Sequence, residues 1–65
     1  MDKVFCKNLK EARLGAKMTQ KEVAVKLNVV ESCYANWEQG RTEPSIEMIQ
    51  NLCDVFDVKA DELLF

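Results

Sequence analysis

TQKEVAVKLNVVESCYANWEQG, residues 19–40, contains two helical patterns separated by only two or three residues, about Asn28 to Val30. The first pattern opens with TQKE, which has the spacing of a capping box. In that motif the Thr19 hydroxyl accepts a hydrogen bond from the Glu22 amide, and the Glu22 carboxylate accepts one from the Thr19 amide. A helix is therefore predicted to begin here, with a buried stripe made by Val23, Ala24 and Leu27.

The residues that follow predict a tight corner and then a second helix from about Val30 to Gln39. Asn28 tolerates the left-handed conformation that often ends a helix, and Gly40 is suited to end the second one. At about 100° per residue, the second helix has two faces. The face predicted to point inward holds Val30, Tyr34, Trp37 and Glu38. The opposite face holds Ser32, Asn36 and Gln39.

The flanking segments also have helical patterns. A first helix is predicted from Asp2 to about Ala16, a fourth after Pro44-Ser45, and a short fifth near the C-terminus. Their apolar stripes comprise, in chain order, Phe5, Leu9, Ala12, Ile46, Ile49, Leu52, Cys53, Phe56, Leu63 and Leu64. No segment alternates as a strand does. The sequence therefore predicts an all-α, compact five-helix bundle that contains a helix-turn-helix, with residues 1–65 as a single domain.

Charge is distributed unevenly along the chain. The net charge is −2, which argues mildly against a nucleic-acid partner because such domains are often basic. Residues 1–30 carry seven Lys or Arg and three Asp or Glu, whereas residues 31–65 carry two and eight. One end of the molecule is therefore able to face an anion while the other faces water, although small domains are often lopsided by chance.

Residue content argues against several classes of protein. The chain has no histidine, and its three cysteines, Cys6, Cys33 and Cys53, form no Cys-x-x-Cys pair. We therefore expect reduced thiols in a cytoplasmic protein, no metal site and no cofactor. The sequence has no apolar run long enough to cross a membrane, and its charged first residues lead us to expect no signal peptide. It has no glycine-rich phosphate loop and no nucleophile with a plausible base, so neither an enzyme nor a small-molecule ligand is expected.

The outward face of the second helix, formed by Ser32, Asn36 and Gln39, carries short hydrogen-bonding side chains. Asn and Gln can offer a paired donor and acceptor to adenine, and Ser can bond several base edges. An α-helix also fits the major groove of B-DNA. This face is suited to reading DNA, although every surface helix has a polar outer side.

Residues 9–64 resemble the phage repressor/Cro-type helix-turn-helix family, the xenobiotic-response-element-like regulators. The resemblance rests on LKEAR, MTQKEVAVKLNV, NWEQG, EPS and DVKADELL, in the order and spacing of that family. It implies a DNA-binding transcription regulator, expected to be a repressor, that binds a palindromic operator in double-stranded DNA as a homodimer.

The resemblance also implies roles for individual residues. Base edges are expected to be touched by Glu31, Ser32 and Asn36. The DNA backbone is expected to be met by Gln20, Lys21, Gln39, Arg41 and Thr42. Arg13 and Glu38 match an ion pair that ties the first helix to the recognition helix in some relatives. The alternative for Arg13 is a surface position like that of a lysine.

This sequence departs from the family pattern at several positions. Asn28 stands where glycine is usual, and we expect the same turn. Val30 replaces a capping Ser or Thr, so Ser32 is an alternative cap, which would remove it from base contact. Tyr34 replaces an aliphatic residue, and its hydroxyl must reach the edge of the core. Glu31 either accepts a hydrogen bond from cytosine or is simply a carboxylate placed favourably in the first turn of its helix.

Two other functions remain open. Small helical bundles readily bind proteins, and the net charge is acidic, so the chain is alternatively a protein-interaction module. Cys33 flanks the recognition helix, so a thiol-responsive regulator is the other alternative. At the C-terminus, Leu64 and Phe65 are expected either to form part of a dimer contact or to be a frayed tail.

Overall fold

A computed structural model describes residues 3–65 and consists of five helices joined by short turns. In chain order they are α1 (Lys3–Gly15), α2 (Gln20–Leu27), α3 (Glu31–Gln39), α4 (Ile46–Phe56) and α5 (Ala60–Leu64). The described range contains no strand, so the predicted all-α, five-helix fold is confirmed. Asp2, where the first helix was predicted to begin, lies outside the described residues. None of the five helices is long and apolar enough to cross a membrane.

The corner between α2 and α3 forms as predicted. Glu22 Oε1 accepts a hydrogen bond from the Thr19 amide at 2.9 Å, and Thr19 Oγ1 accepts one from the Glu22 amide at 3.0 Å. The bond from the Thr19 amide to the carboxylate, together with a favourable interaction with the Thr19 hydroxyl, holds the pKa of Glu22 below its ordinary value. At the other end of α2, Asn28 is left-handed (φ 60°, ψ 42°), and the Val29 amide donates to the Ala24 carbonyl. Asn28 thus takes the place of the usual glycine.

Helix α3 begins at Glu31 without a side-chain cap. Val30 occupies the N-cap position in an extended conformation, and its carbonyl accepts a hydrogen bond from the Tyr34 amide at 3.4 Å. Ser32 lies inside the helix, so it does not replace Val30 as the cap. The helix ends at Gly40, whose φ of 77° is left-handed, as predicted.

All five helices contribute to the core. Tyr34 and Trp37 anchor α3 there, with ring centroids 5.9 Å apart and ring planes at 72°, an edge-to-face arrangement. Because both rings are buried, the opposite side of α3 faces solvent. The buried hydrophobic residues are Phe5, Leu9, Val23, Ala24, Leu27, Tyr34, Trp37, Ile49, Leu52, Phe56 and Leu63.

Two predicted core positions are wrong, and both lie at the N-terminal end of a helix. Val30 is 68% exposed and Ile46 is 77% exposed. Val30 precedes the first turn of α3, so the helical periodicity used to place it inward does not apply there. Ile46 is the first residue of α4 and lies beyond the edge of the core. At the C-terminus, Leu64 packs partly against the core, whereas Phe65 is exposed.

Replacing the two glycines by alanine should change stability in opposite directions. Gly40→Ala should lower the unfolding free energy by about 1–2 kcal/mol, because a left-handed φ is unfavourable for a residue with a Cβ. The added Cβ would also lie 3.3 Å from Cys6 Sγ. Gly15→Ala is the matched control, since Gly15 is helical and its added Cβ meets nothing within 4 Å. It should raise the unfolding free energy by about 0.5–1 kcal/mol.

Urea unfolding followed by Trp37 fluorescence measures both changes. Equal changes of the same sign would contradict the assignment of Gly40 as a conformationally required helix end.

Candidate nucleic-acid interface

The three residues expected to touch bases lie on α3, with Ser32 and Asn36 on its outward face and Glu31 in its first turn. Glu31 and Ser32 are exposed, and Asn36, one turn further along, is half-buried. The end of α3 and the loop after it add three exposed polar residues, Gln39, Arg41 and Thr42. The structure therefore presents a polar surface on the side of α3 opposite the buried aromatic rings.

The start of α2 holds the other two residues expected to meet the DNA backbone. Lys21 is exposed, whereas Gln20, the first residue of the helix, is half-buried. The Gln20 side chain is not free in solvent, because its Nε2 donates a hydrogen bond to Glu38 Oε1 at 3.1 Å. This bond links the first turn of α2 to the last turn of α3.

Arg13 and Glu38 are brought together between α1 and α3. Arg13 Nε donates to Glu38 Oε2 at 2.7 Å, and Nη2 donates to Oε1 at 3.3 Å, so the ion pair is bidentate. Arg13 Nη1 donates to the Met18 carbonyl at 3.0 Å. The two side chains are 11% and 5% exposed, so this ion pair lies within the bundle and not on its surface.

The Glu38 carboxylate accepts hydrogen bonds from three side chains on three helices. Arg13 and Gln20 donate to Oε1, and Arg13 and the Tyr34 hydroxyl donate to Oε2. A carboxylate has about four acceptor sites, so its capacity is filled. No buried side-chain nitrogen or oxygen in residues 3–65 lacks a hydrogen-bond partner. We call this set of Arg13, Gln20, Tyr34 and Glu38 the Glu38 network.

The Glu38 network shifts the pKa values of its members. Burial raises the pKa of Glu38, but the hydrogen bonds from Arg13, Tyr34 and Gln20 outweigh burial, so the net pKa lies below its ordinary value. Burial and the bond to Glu38 raise the pKa of Tyr34 well above its ordinary range. The same carboxylate raises the pKa of Arg13. The network is therefore an ion pair with a neutral phenol at neutral pH.

Lys21 and Arg41, the two cations expected to meet the DNA backbone, are exposed. The acidic Glu31 is also exposed, in the first turn of α3. A carboxylate is favoured at the start of a helix by the helix dipole. The structure is compatible with both predicted roles of Glu31, base contact and helix stabilisation.

The three cysteines are free thiols and each is partly buried. Cys6 Sγ donates to the Trp37 carbonyl at 3.5 Å, and burial raises the pKa of the Cys53 thiol, which keeps it protonated. Within residues 3–65, no group of three or more Cys, Asp or Glu side chains is arranged to hold a metal ion.

Sequence reasoning missed part of the Glu38 network. It required the Tyr34 hydroxyl to reach the edge of the core but did not identify its acceptor. It assigned Gln20 to DNA but did not predict its bond to Glu38. One signal was available: an inward carboxylate needs several donors, and Tyr34 lies one helical turn before Glu38.

The helix-turn-helix, with its capped α2 and its polar-faced α3, defines the class of this protein. The family described as Helix-turn-helix matches residues 9–63, and the chain belongs to this Cro/C1-type helix-turn-helix family. The family was thus correctly predicted from the sequence.

Three relatives of the chain come from Bacillus subtilis (strain 168). An uncharacterized HTH-type transcriptional regulator, YqaE, is 36% identical over 61 residues, which are 94% of this chain and 53% of that protein. The HTH-type transcriptional regulator ImmR is 40% identical over 58 residues, 89% of this chain and 46% of ImmR. The HTH-type transcriptional regulator AnsR is 45% identical over 38 residues, 58% of this chain and 33% of AnsR. The chain spans about half the length of the first two relatives.

Glu38→Gln should lower the unfolding free energy by about 3–5 kcal/mol, because it leaves the buried Arg13 charge without its counterion. The control is Glu47→Gln, which neutralises an exposed carboxylate on α4 and should change stability by no more than about 0.5 kcal/mol. Urea unfolding at neutral pH measures both. Similar small changes in the two variants would show that the ion pair does not hold α1 to α3.

The stability of the protein should fall in acid partly because Glu38 gains a proton. Its folded pKa is lowered, whereas in the unfolded chain it returns to about 4.3. A group of this kind contributes stability above its unfolded pKa and loses it as pH falls through the folded pKa. The unfolding free energy should therefore decrease below about pH 4.3. A ¹³C NMR titration of the Glu38 carboxyl that gave an ordinary or raised pKa would contradict this prediction.

Proposed function

We propose that this chain is a sequence-specific, double-stranded DNA-binding transcriptional regulator that reads the major groove with α3. The observation that carries the proposal is the exposed polar face of α3, which lies opposite Tyr34 and Trp37 and is held to α1 and α2 through Glu38. Such a helix is the right size for the major groove, and its side chains match base-edge chemistry. Membership of the helix-turn-helix family and the names of the relatives as transcriptional regulators support the same function.

In the proposed complex, residues divide into two groups. Glu31, Ser32 and Asn36 touch base edges and determine sequence preference. Gln20, Lys21, Gln39, Arg41 and Thr42 meet the DNA backbone and fix the orientation of the protein. With few cations available, a single chain should bind modestly. We therefore propose a homodimer that acts as a repressor on a palindromic operator, in the cytoplasm, where its three free thiols stay reduced.

Selection from a random duplex library at two salt concentrations tests the proposed function. A palindromic winner with half-sites about one helical turn apart would support a dimeric regulator and supply the operator. Failure to enrich any sequence, with weak binding that vanishes at moderate salt, would favour the protein-interaction alternative, because phosphate contacts alone are non-specific and salt-dependent. Rapid labelling of Cys33 in the native protein, with loss of DNA binding, would favour the thiol-responsive alternative.

Asn36→Ala and Gln20→Ala should affect binding differently. Asn36→Ala should relax sequence preference by about 1–3 kcal/mol at its base position, the value of one bidentate base contact. Gln20→Ala should weaken binding to all sequences alike, because a phosphate contact carries no base information. Kd values for the selected site and for single-base variants of it measure both effects. Equal loss of specificity in the two variants, or no loss of binding in either, would contradict these roles.

A further inference from the structure

Gln20 belongs both to the proposed DNA contacts and to the Glu38 network. Its Nε2 donates to Glu38 Oε1 at 3.1 Å from the first turn of α2. Because a carboxylate only accepts hydrogen bonds, it is the nitrogen of the Gln20 amide, and not the oxygen, that faces Glu38. A phosphate also only accepts, so it needs the second hydrogen on that nitrogen. The amide orientation that satisfies Glu38 therefore leaves an N–H for a phosphate.

The Tyr34 hydroxyl determines how firmly this carboxylate is held. It donates to Oε2, which also accepts from Arg13 Nε. Without the hydroxyl, Oε2 would keep one donor, and a buried acceptor that loses a donor is costly. The carboxylate would then recover a bond by turning towards a donor able to move. The Gln20 amide is the best candidate, because Arg13 is fixed further by its bond to the Met18 carbonyl.

We propose that Tyr34 is a positioning residue for DNA binding: through Glu38, its hydroxyl holds the Gln20 amide in the orientation that meets a phosphate. Tyr34 itself is 0% exposed, so it does not touch DNA and its effect must pass through Glu38. The hydroxyl remains a donor across the pH range of a binding experiment, because burial raises its pKa. The inference rests on the proposed function, since it requires Gln20 to meet DNA.

A double-mutant cycle between Tyr34→Phe and Gln20→Ala tests the inference. The phenylalanine keeps the buried ring and removes only the hydroxyl. With a fluorescein-labelled duplex that carries the selected site, each single variant should raise Kd by about threefold to tenfold, the net contribution of one typical hydrogen bond. The double variant should bind no more weakly than Gln20→Ala, because the hydroxyl has no further role once the amide is absent. If the fold-change in Kd of the double variant equals the product of the two single fold-changes, the inference is overturned.

Lys21→Ala provides the matched control background. Lys21 is the next residue of α2, is exposed, and lies outside the Glu38 network. Lys21→Ala should reduce the slope of log K against log salt concentration by about 1, whereas Tyr34→Phe should leave that slope unchanged. The effects of Tyr34→Phe and Lys21→Ala should multiply. A Tyr34→Phe effect that also disappears in the Lys21→Ala background would mean that the hydroxyl positions the start of α2 as a whole and not the Gln20 amide, and would overturn the inference.

NMR of the free protein separates failure of the inference from failure of the proposed function. In the absence of DNA, Tyr34→Phe should shift the side-chain amide signals of Gln20 more than those of Gln39, which is outside the Glu38 network. Unchanged Gln20 signals would overturn the inference, and this holds whether or not DNA binds. If the wild-type protein binds no duplex, the proposed function and the inference both fail. If it binds but the cycle is multiplicative, only the inference fails. Thermal melts show whether each variant is folded at the assay temperature.

Discussion

A buried carboxylate must be surrounded by hydrogen-bond donors, and in this protein the donors to Glu38 come from three helices. Arg13 approaches from α1, Gln20 from the first turn of α2, and Tyr34 from the preceding turn of α3. Because each oxygen has two donors, movement of any one of the three helices would leave part of the charge unsatisfied. A pair of this kind contributes little as net stabilisation, but it penalises other arrangements of the same helices strongly. The geometry of the helix-turn-helix depends on this requirement.

The same requirement connects the core to the proposed DNA surface. Tyr34 and Trp37 bury one side of α3, which leaves its polar side in solvent. Glu38 then joins the end of α3 to Gln20 at the start of α2. A helix that reads bases and a residue that meets phosphate must keep a constant separation if specific binding is to depend on sequence. In the proposed complex, the bond between Glu38 and Gln20 adds to the packing of the apolar core in keeping that separation constant.

The features that the sequence predicted correctly depend on contacts between near neighbours. The Thr19–Glu22 capping box, the left-handed Asn28 and the glycine end of α3 each require only a few residues. The buried stripes of the helix interiors were also correct, because helical periodicity is regular there. The two errors, Val30 and Ile46, lie at helix starts. Val30 precedes the first turn of its helix, so the periodicity does not apply to it, and Ile46 lies beyond the edge of the core. The roles of the residues proposed to touch DNA remain predictions.

The sequence by itself determined the five helices, the tight corner after α2 and the polar outer face of α3, because local propensities, caps and periodicity act over one or two turns. The resemblance to a known family added the pairing of Arg13 with Glu38. Tyr34 lies one helical turn before Glu38, so that donor is local. Only the tertiary structure decided that Gln20 also donates to the carboxylate, because the start of α2 meets the end of α3 only when the helices pack. It likewise decided that the Gln20 amide is shared between the core and the proposed DNA surface. That outcome follows from the need to satisfy a buried charge in three dimensions, which no local pattern records.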